Sequence, residues 1–181
     1  MIHLEIYAAA LIGFSLFAFA AAFWFFKVLP ANPQRWESLP RNVFFGAVLA
    51  ALDLGWVVPQ SEPVVPAGMV SWVLPLAIVS FVACYMFLDY LFSRAFGGAL
   101  ILLAHYFLQA SFAYDVPVRP AIAALCLAMG TLGVFFCGKP HLMRDMIRKI
   151  ATKASWKNSA VALSVVYAVV FLATGVVALS R

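Results

Sequence analysis

Apolar and polar positions in this chain are grouped into long blocks, and the apolar blocks have the length of membrane-spanning segments. A helix needs roughly 20 mostly apolar residues to cross the hydrocarbon core of a bilayer. The six apolar stretches that meet or approach this length run over 4–26, 43–58, 70–88, 96–113, 118–137 and 159–179. The pattern therefore predicts an all-α integral membrane protein with six transmembrane helices.

The gap after the fifth stretch, residues 140–156, has a different, helical periodicity. Its apolar face consists of Leu142, Met143, Met146, Ile147, Ile150 and Ala154. The cations that we expect to contact lipid are Arg144, Arg148, Lys149, Lys153 and Lys157. An apolar face set against a basic face is typical of a helix that lies in the membrane interface. We predict an amphipathic interfacial helix here, which anchors the chain, senses lipid or docks a partner.

Positive charge is distributed unevenly among the gaps, and this predicts the orientation. Ten of the twelve Lys and Arg residues follow the first, third and fifth stretches. Only Arg119, at the start of the fifth stretch, and Arg181, after the sixth, lie at the opposite ends of the spans. Short cytoplasmic loops retain Lys and Arg. We expect both termini to face outward and the helix over 140–156 to lie on the cytoplasmic side, in the inner (plasma) membrane of a bacterium.

Composition limits the domain organisation and the partners. A chain of 181 residues that is 66% hydrophobic has no room for a soluble domain beside six spans, so we predict one transmembrane domain over 1–181. The net charge of +5 is accounted for by the cytoplasmic gaps, and no basic stripe is interleaved with aromatic residues. We therefore expect anionic lipid headgroups as a partner, and no nucleic acid.

Two ionisable side chains, Asp53 and His105, lie deep within apolar stretches. Counted from the cytoplasmic ends of the second and fourth stretches, they lie at about 15 Å and about 13.5 Å along their helices. An unpaired charge at that depth costs several kcal/mol, so a polar partner inside the bundle is expected. We predict that the two face each other, as a structural hydrogen bond, as part of a proton or ion pathway, or as part of a ligand or catalytic site.

The connection between the third and fourth stretches is short and contains no Pro or Gly. It predicts a tight hairpin at the cytoplasmic interface, with Asp89 and Arg94 as an ion pair that clamps it. Glycines at 97, 98, 130 and 133 predict close packing between neighbouring helices.

No sequence motif indicates a metal or cofactor. The three cysteines, Cys84, Cys126 and Cys137, lack metal-binding spacing and are interpreted as packing residues. A haem would need a second midplane histidine beside His105, whereas His3 and His141 lie at opposite span ends. We predict no metal site and no cofactor.

Three classes of function fit these features. A non-catalytic accessory or assembly subunit of a membrane complex, with a membrane-protein partner, accounts best for a small chain with little soluble mass. A small transporter or channel would use the Asp53 and His105 pair. An intramembrane enzyme is the third alternative, and the common catalytic motifs are missing from the sequence.

Overall fold

The computed structural model describes residues 2–61, 65–114 and 118–180, and these residues form helices with no strand among them. Six of the helices are long and apolar enough to span a membrane, as the sequence predicts. Three charged residues of the segments predicted to face outward lie outside the described residues, namely Glu62, Asp115 and Arg181. The prediction of an all-helical chain with six helices of spanning length and apolarity is confirmed for the described residues.

The principal helices share the chain with several shorter helical turns. In chain order they are α1 (Ile2–Phe23), α2 (Val43–Ser61), α3 (Val70–Phe87), α4 (Leu91–Ala113), α5 (Arg119–Gly138), α6 (His141–Thr152) and α7 (Ala154–Leu179). All except α6 are candidate spans.

The first helical run continues beyond the end that hydropathy predicts. A π-helical turn over Trp24–Val28 follows α1 directly, and a last turn covers Leu29–Ala31. The proline-rich gap that comes next forms only the short helix Pro33–Glu37 and a 3₁₀ turn over Leu39–Arg41. Proline removes a backbone donor and resists the helix interior, which explains the broken helical turns.

Three other helix ends lie three or more residues outside the apolar stretches. Helix α2 continues three residues past 58 and includes Pro59 in its last turn. Helices α4 and α7 each begin five residues before the predicted starts at 96 and 159. Lys153 has an extended backbone, with φ −114° and ψ 117°, and it separates α6 from α7. The segment predicted as one helix over 140–156 is therefore divided at Lys153.

Contacts divide the chain into two compact units, and the single transmembrane domain stays a prediction. The first unit contains Met1–Glu37, Leu103–Met129 and Asp145–Arg181, and the second contains Ser38–Leu102 and Gly130–Arg144. Helices α4, α5 and α6 therefore each contribute residues to both units.

The core of the first unit forms where α1 packs on α7. Tyr7, Leu11, Ser15, Ala18 and Ala22 are buried and recur every three or four residues, so they form one face of α1. On α7, a Cβ added at Gly175 would lie 2.8 Å from Ile12 Cγ1 and 3.2 Å from the Ala8 carbonyl oxygen. Small residues thus permit the two helices to approach closely.

An aromatic cluster extends this core. The ring centroids of Phe14, Phe107 and Phe171 lie 5.1 to 5.5 Å from one another. The rings are edge-on or tilted, as aromatic pairs prefer. Tyr167 packs beside Phe171 and donates its hydroxyl to the Leu125 carbonyl oxygen at 2.7 Å.

In the second unit, α4 and α5 make contact through glycine. A Cβ added at Gly97 would lie 2.6 Å from the Gly133 carbonyl oxygen, and one at Gly133 would lie 2.6 Å from the Gly97 carbonyl oxygen. The helices therefore meet backbone to backbone at these two residues, as their glycines predict.

Candidate functional site

The candidate site lies in the second unit, where α2 runs beside α4. A Cβ added at Gly46 would lie 2.5 Å from the Phe92 amide nitrogen, and a Cβ added at Gly98 would lie 3.2 Å from Asp53 Oδ2. From the first contact to the second, the chain advances seven residues on α2 and six residues on α4. Because both helices advance in the same direction, they run parallel. Because Gly98 has no side chain, the Asp53 carboxyl lies directly against the backbone of α4.

A half-open cleft of about 210 Å³, called here the Asp53 cleft, is bounded by α2, α3 and the start of α4. Its polar lining residues are Asp53, Ser80, Cys84 and Arg94. Its apolar walls are Ala50, Leu54, Phe81, Leu88, Leu91 and Ala95. The cleft therefore combines a carboxyl and a guanidinium group with a mainly apolar surface.

Arg94 also caps the end of α5. Its Nη1 donates to the Cys137 carbonyl oxygen at 2.9 Å, and Cys137 Sγ donates to the Arg94 carbonyl oxygen at 3.3 Å. The neighbouring Ser93 Oγ donates to the Pro140 carbonyl oxygen at 3.1 Å. Carbonyls in the last turn of a helix lack intrahelical donors and favour a cation. The first turn of α4 thus satisfies acceptors at and beyond the C-terminus of α5.

The structure does not bring Asp89 and Arg94 together, because Arg94 is engaged with α5. Between these two residues, both of which the structure describes, there is no ion pair. Asp89 instead lines a second cleft, of about 410 Å³, with Arg41, Val43, Leu88 and Tyr90. The Arg41 guanidinium lies 4.8 Å from the centre of the Tyr90 ring.

Tyr90 makes the tight turn between α3 and α4. Its φ of 60° lies in the left-handed region, which costs a non-glycine residue roughly 1 to 2 kcal/mol. The short connection predicted from the sequence is therefore formed without glycine, and the Arg41 contact stabilises the tyrosine that makes it.

Asp53 and His105 lie in different units, and their side chains differ in exposure. Asp53 is half-buried in its cleft, whereas His105 is exposed. Within 2–61, 65–114 and 118–180, no group donates a hydrogen bond to the Asp53 carboxyl. The predicted pairing of Asp53 with His105 stays a prediction.

The cations predicted to contact lipid are distributed over two helices. Arg144, Arg148 and Lys149 lie on α6, Lys153 lies at the break, and Lys157 lies in the first turn of α7. Arg148 forms an ion pair with Asp145 at 2.8 Å. Lys149 Nζ lies 5.1 Å from the centre of the Trp156 ring, and Lys157 Nζ lies 5.4 Å from that of Phe26.

The apolar face of α6 is buried in the structure. Met143, Ile147 and Ile150 are at most 8% exposed, and they recur at the four- and three-residue spacing of one helical face. The packing leaves Arg148 and Lys149 exposed. The location of α6 at a membrane interface stays a prediction.

Sequence reasoning did not assemble the lining of the Asp53 cleft. Ser80 and Cys84 are four residues apart, so their common helical face could have been read from the sequence. The position of that face beside Asp53 depends on the packing of α3 on α2, for which the sequence carries no signal. Among the described residues, no group of three or more His, Cys, Asp or Glu side chains is placed to hold a metal ion.

Comparison with known protein families, curated proteins and solved structures finds no match for this chain. The class of protein therefore rests on the chain's own fold. Its six long apolar helices are consistent with an integral membrane protein.

Proposed function

We propose that this chain is a non-catalytic accessory or assembly subunit of a membrane complex, and that it docks to partner helices through exposed glycines. Two mid-helix glycines support the proposal. Among the residues that the structure describes, no atom outside the local helix lies within 4 Å of a Cβ added at Gly13 on α1 or at Gly55 on α2. Both glycines face open space.

These two glycines contrast with the glycines that pack inside the chain. At Gly46, Gly97 and Gly175, an added Cβ would lie within 3.0 Å of a neighbouring helix. Glycine in a helix interior is less stable than alanine by roughly 0.5 to 1 kcal/mol. A helix–helix contact accounts for that cost at the packed positions, and a partner helix would account for it at Gly13 and Gly55.

Each open glycine belongs to a small-residue motif on an exposed face. Ala9 precedes Gly13 by four residues and Ala51 precedes Gly55 by four, and all four residues are exposed. Two small residues at this spacing form a shallow groove, in which the backbone of a second transmembrane helix packs closely. The two grooves are therefore suited to transmembrane helices of another chain.

The helix next to Gly55 also has little contact within the chain. No residue of α3, which the structure describes throughout, is buried, and the only buried residue of α2 is Gly46. The two helices contact each other, and Trp72, Leu76 and Phe87 are each more than 65% exposed. An apolar hairpin of this kind offers a large area to lipid or to a partner subunit.

The orientation and the lipid contacts are part of the same proposal. The chain lies in a bacterial inner membrane with both termini outside, and the cations of 144–157 contact anionic headgroups on the cytoplasmic side. Each cation near an anionic surface contributes about 1 kcal/mol. The uneven distribution of Lys and Arg supports this orientation.

The docking proposal is tested by purifying the tagged chain from its native host in mild detergent and quantifying the proteins that co-migrate at fixed stoichiometry. Gly55→Ile and Gly13→Ile fill the two grooves. Loss of one helix contact worth about 1 to 2 kcal/mol predicts a roughly five- to thirtyfold weaker association.

The matched control is Ala162→Ile, which adds a similar side chain at an exposed position of α7, outside both motifs and outside the α2–α3 hairpin. It should retain the partner. A monomer without any stoichiometric partner, or equal recovery from all three variants, would contradict the proposal.

Transport is the second candidate function, and the half-open cleft beside Asp53 favours it. If Asp53 carries a proton, Asp53→Asn should leave the protein folded and abolish pH-dependent transport in proteoliposomes, because an amide does not titrate. Transport that persists in Asp53→Asn would exclude a proton-carrying role for this residue.

A further inference from the structure

We propose that the Asp53 cleft binds a small zwitterion, with its ammonium group on the Asp53 carboxyl and its acid group on the Arg94 guanidinium. The ligand class is an apolar amino acid or the ethanolamine headgroup of a phospholipid, which share this chemistry. The inference does not depend on the docking of a partner chain.

Both charged groups of the cleft have unused hydrogen-bonding capacity. No described group donates to the Asp53 carboxyl, and Arg94 Nε is buried without a hydrogen-bond partner. Only Arg94 Nη1 is engaged, by the Cys137 carbonyl oxygen. A ligand in the cleft that pairs with the Asp53 carboxyl and with the remaining terminal N–H groups of the Arg94 guanidinium satisfies groups that the described chain leaves without a partner.

The signs of the two charges favour a ligand that carries both. The cleft has one acidic and one basic lining residue, and the two do not form an ion pair with each other. Asp53 attracts a simple cation but Arg94 repels it, and Arg94 attracts a simple anion but Asp53 repels it. A zwitterion with one charge of each sign complements both residues.

The spacing of the two charged groups suits a small molecule. Arg94 and Gly98 are four residues apart on α4, which corresponds to about 6 Å along the helix axis. Asp53 Oδ2 lies against Gly98. An ammonium and an acid group separated by a few bonds can each form a charge-assisted hydrogen bond of about 2.8 Å across this spacing, provided that the hydrogen bonds are not collinear.

The rest of the cleft is small and mainly apolar. Leu54, Phe81 and Leu88 give it apolar walls, which suit a short aliphatic or aromatic side chain. The volume of about 210 Å³ is below the roughly 300 Å³ at which sites for drug-sized ligands begin. A ligand of single amino-acid size matches these walls.

Cys84 provides a native reporter because its thiol lines the same cleft. The other two thiols are internal references, since Cys126 is buried and Cys137 Sγ donates to a backbone carbonyl. The full chain is reconstituted in phosphatidylcholine nanodiscs and treated with N-ethylmaleimide. The alkylation rate of each cysteine is then followed by mass spectrometry.

Leucine is the zwitterionic probe, isoamylamine supplies the ammonium group alone and 4-methylpentanoate supplies the acid group alone. Leucine should slow alkylation of Cys84 saturably, without slowing it at Cys126 or Cys137, and neither half-probe should match it. If phosphatidylethanolamine nanodiscs protect Cys84 without leucine, the lipid headgroup is the source of the zwitterion.

Variants test the residues that the proposal names. Asp53→Asn should weaken protection by leucine about tenfold or more, as expected for loss of a charge-assisted hydrogen bond. Asp89→Asn, in the other cleft, is the matched control and should leave the protection midpoint unchanged. Circular dichroism of each variant checks that the helices are retained.

Three results would overturn the proposal. They are absence of Cys84 protection by both leucine and phosphatidylethanolamine, equal protection by isoamylamine and leucine, and an Asp53→Asn midpoint shift no larger than that of Asp89→Asn. None of them bears on the partner-docking proposal, because the reconstituted chain is studied without a partner.

Discussion

At the scale of single residues, glycine has two uses in this chain. Gly97 and Gly133 allow two backbones to meet, whereas Gly13 and Gly55 leave grooves on exposed helix faces. The sequence predicted close packing at 97 and 133 because small residues are common at helix contacts. It could not distinguish a glycine that packs inside the chain from one that faces outward, because that depends on the azimuth of each helix.

Gly133→Ala should destabilise the protein by about 1 to 3 kcal/mol, since its Cβ would overlap the Gly97 carbonyl oxygen and force α4 and α5 apart. Gly55→Ala is the matched control, with open space at the same atom. Unfolding of both variants in detergent micelles measures the difference. A Gly133→Ala variant as stable as the control would show that the two helices do not meet here.

A second prediction at this scale separates the predicted hairpin clamp from the observed cap. Arg94→Met removes the donor to the Cys137 carbonyl oxygen and should cost about 1.5 to 3 kcal/mol. Asp89→Asn should change stability by less than about 0.5 kcal/mol, as expected for a surface side chain outside an ion pair. If the two substitutions are equally destabilising, the clamp predicted from the sequence is the correct interpretation.

At the scale of helices, the apolar stretches located every candidate span among the described residues but misplaced some helix ends. Hydropathy reports transfer to lipid, whereas a helix continues for as long as its backbone hydrogen bonds form. Helix α4 therefore includes Ser93 and Arg94, and α7 includes Trp156 and Lys157, although these polar or interfacial residues fall outside the apolar stretches.

The segment 140–156 carries a prediction at the helix scale. A synthetic peptide of this segment should become helical on anionic vesicles and less so on neutral ones, because its cations gain about 1 kcal/mol each near anionic lipid. In the peptide, the face formed by Met143, Ile147 and Ile150 is free to contact lipid. Circular dichroism measures the helix content.

The control peptide replaces Arg148 and Lys149 with Gln, retains the apolar face and should lose the preference for anionic lipid. A peptide that stays unstructured on both kinds of vesicle would show that this segment folds only against the rest of the chain, where its apolar face is buried.

At the scale of the whole molecule, sequence reasoning predicted the features that depend on long-range composition. Six long apolar helices and an all-helical fold result from the apolar blocks, because a helix satisfies its own backbone hydrogen bonds, as a chain in lipid requires. The Asp53 cleft could not be predicted in this way, since it depends on the parallel packing of α2 and α4 and on the face that α3 presents. Arg94 illustrates the limit, because the carbonyl it contacts lies 43 residues away in the chain.

The central claim is that the chain crosses the membrane six times with its basic gaps in the cytoplasm. Single cysteines at Ser38, Glu62 and Lys153, placed in a background that carries Cys84→Ala, Cys126→Ala and Cys137→Ser, test it most directly. With an impermeant thiol reagent on intact cells, we predict labelling at Glu62 and protection at Ser38 and Lys153 until the cells are opened. Labelling at Ser38 and Lys153 with protection at Glu62 would reverse the orientation, and any pattern that places Ser38 and Lys153 on opposite sides would contradict the six-span topology.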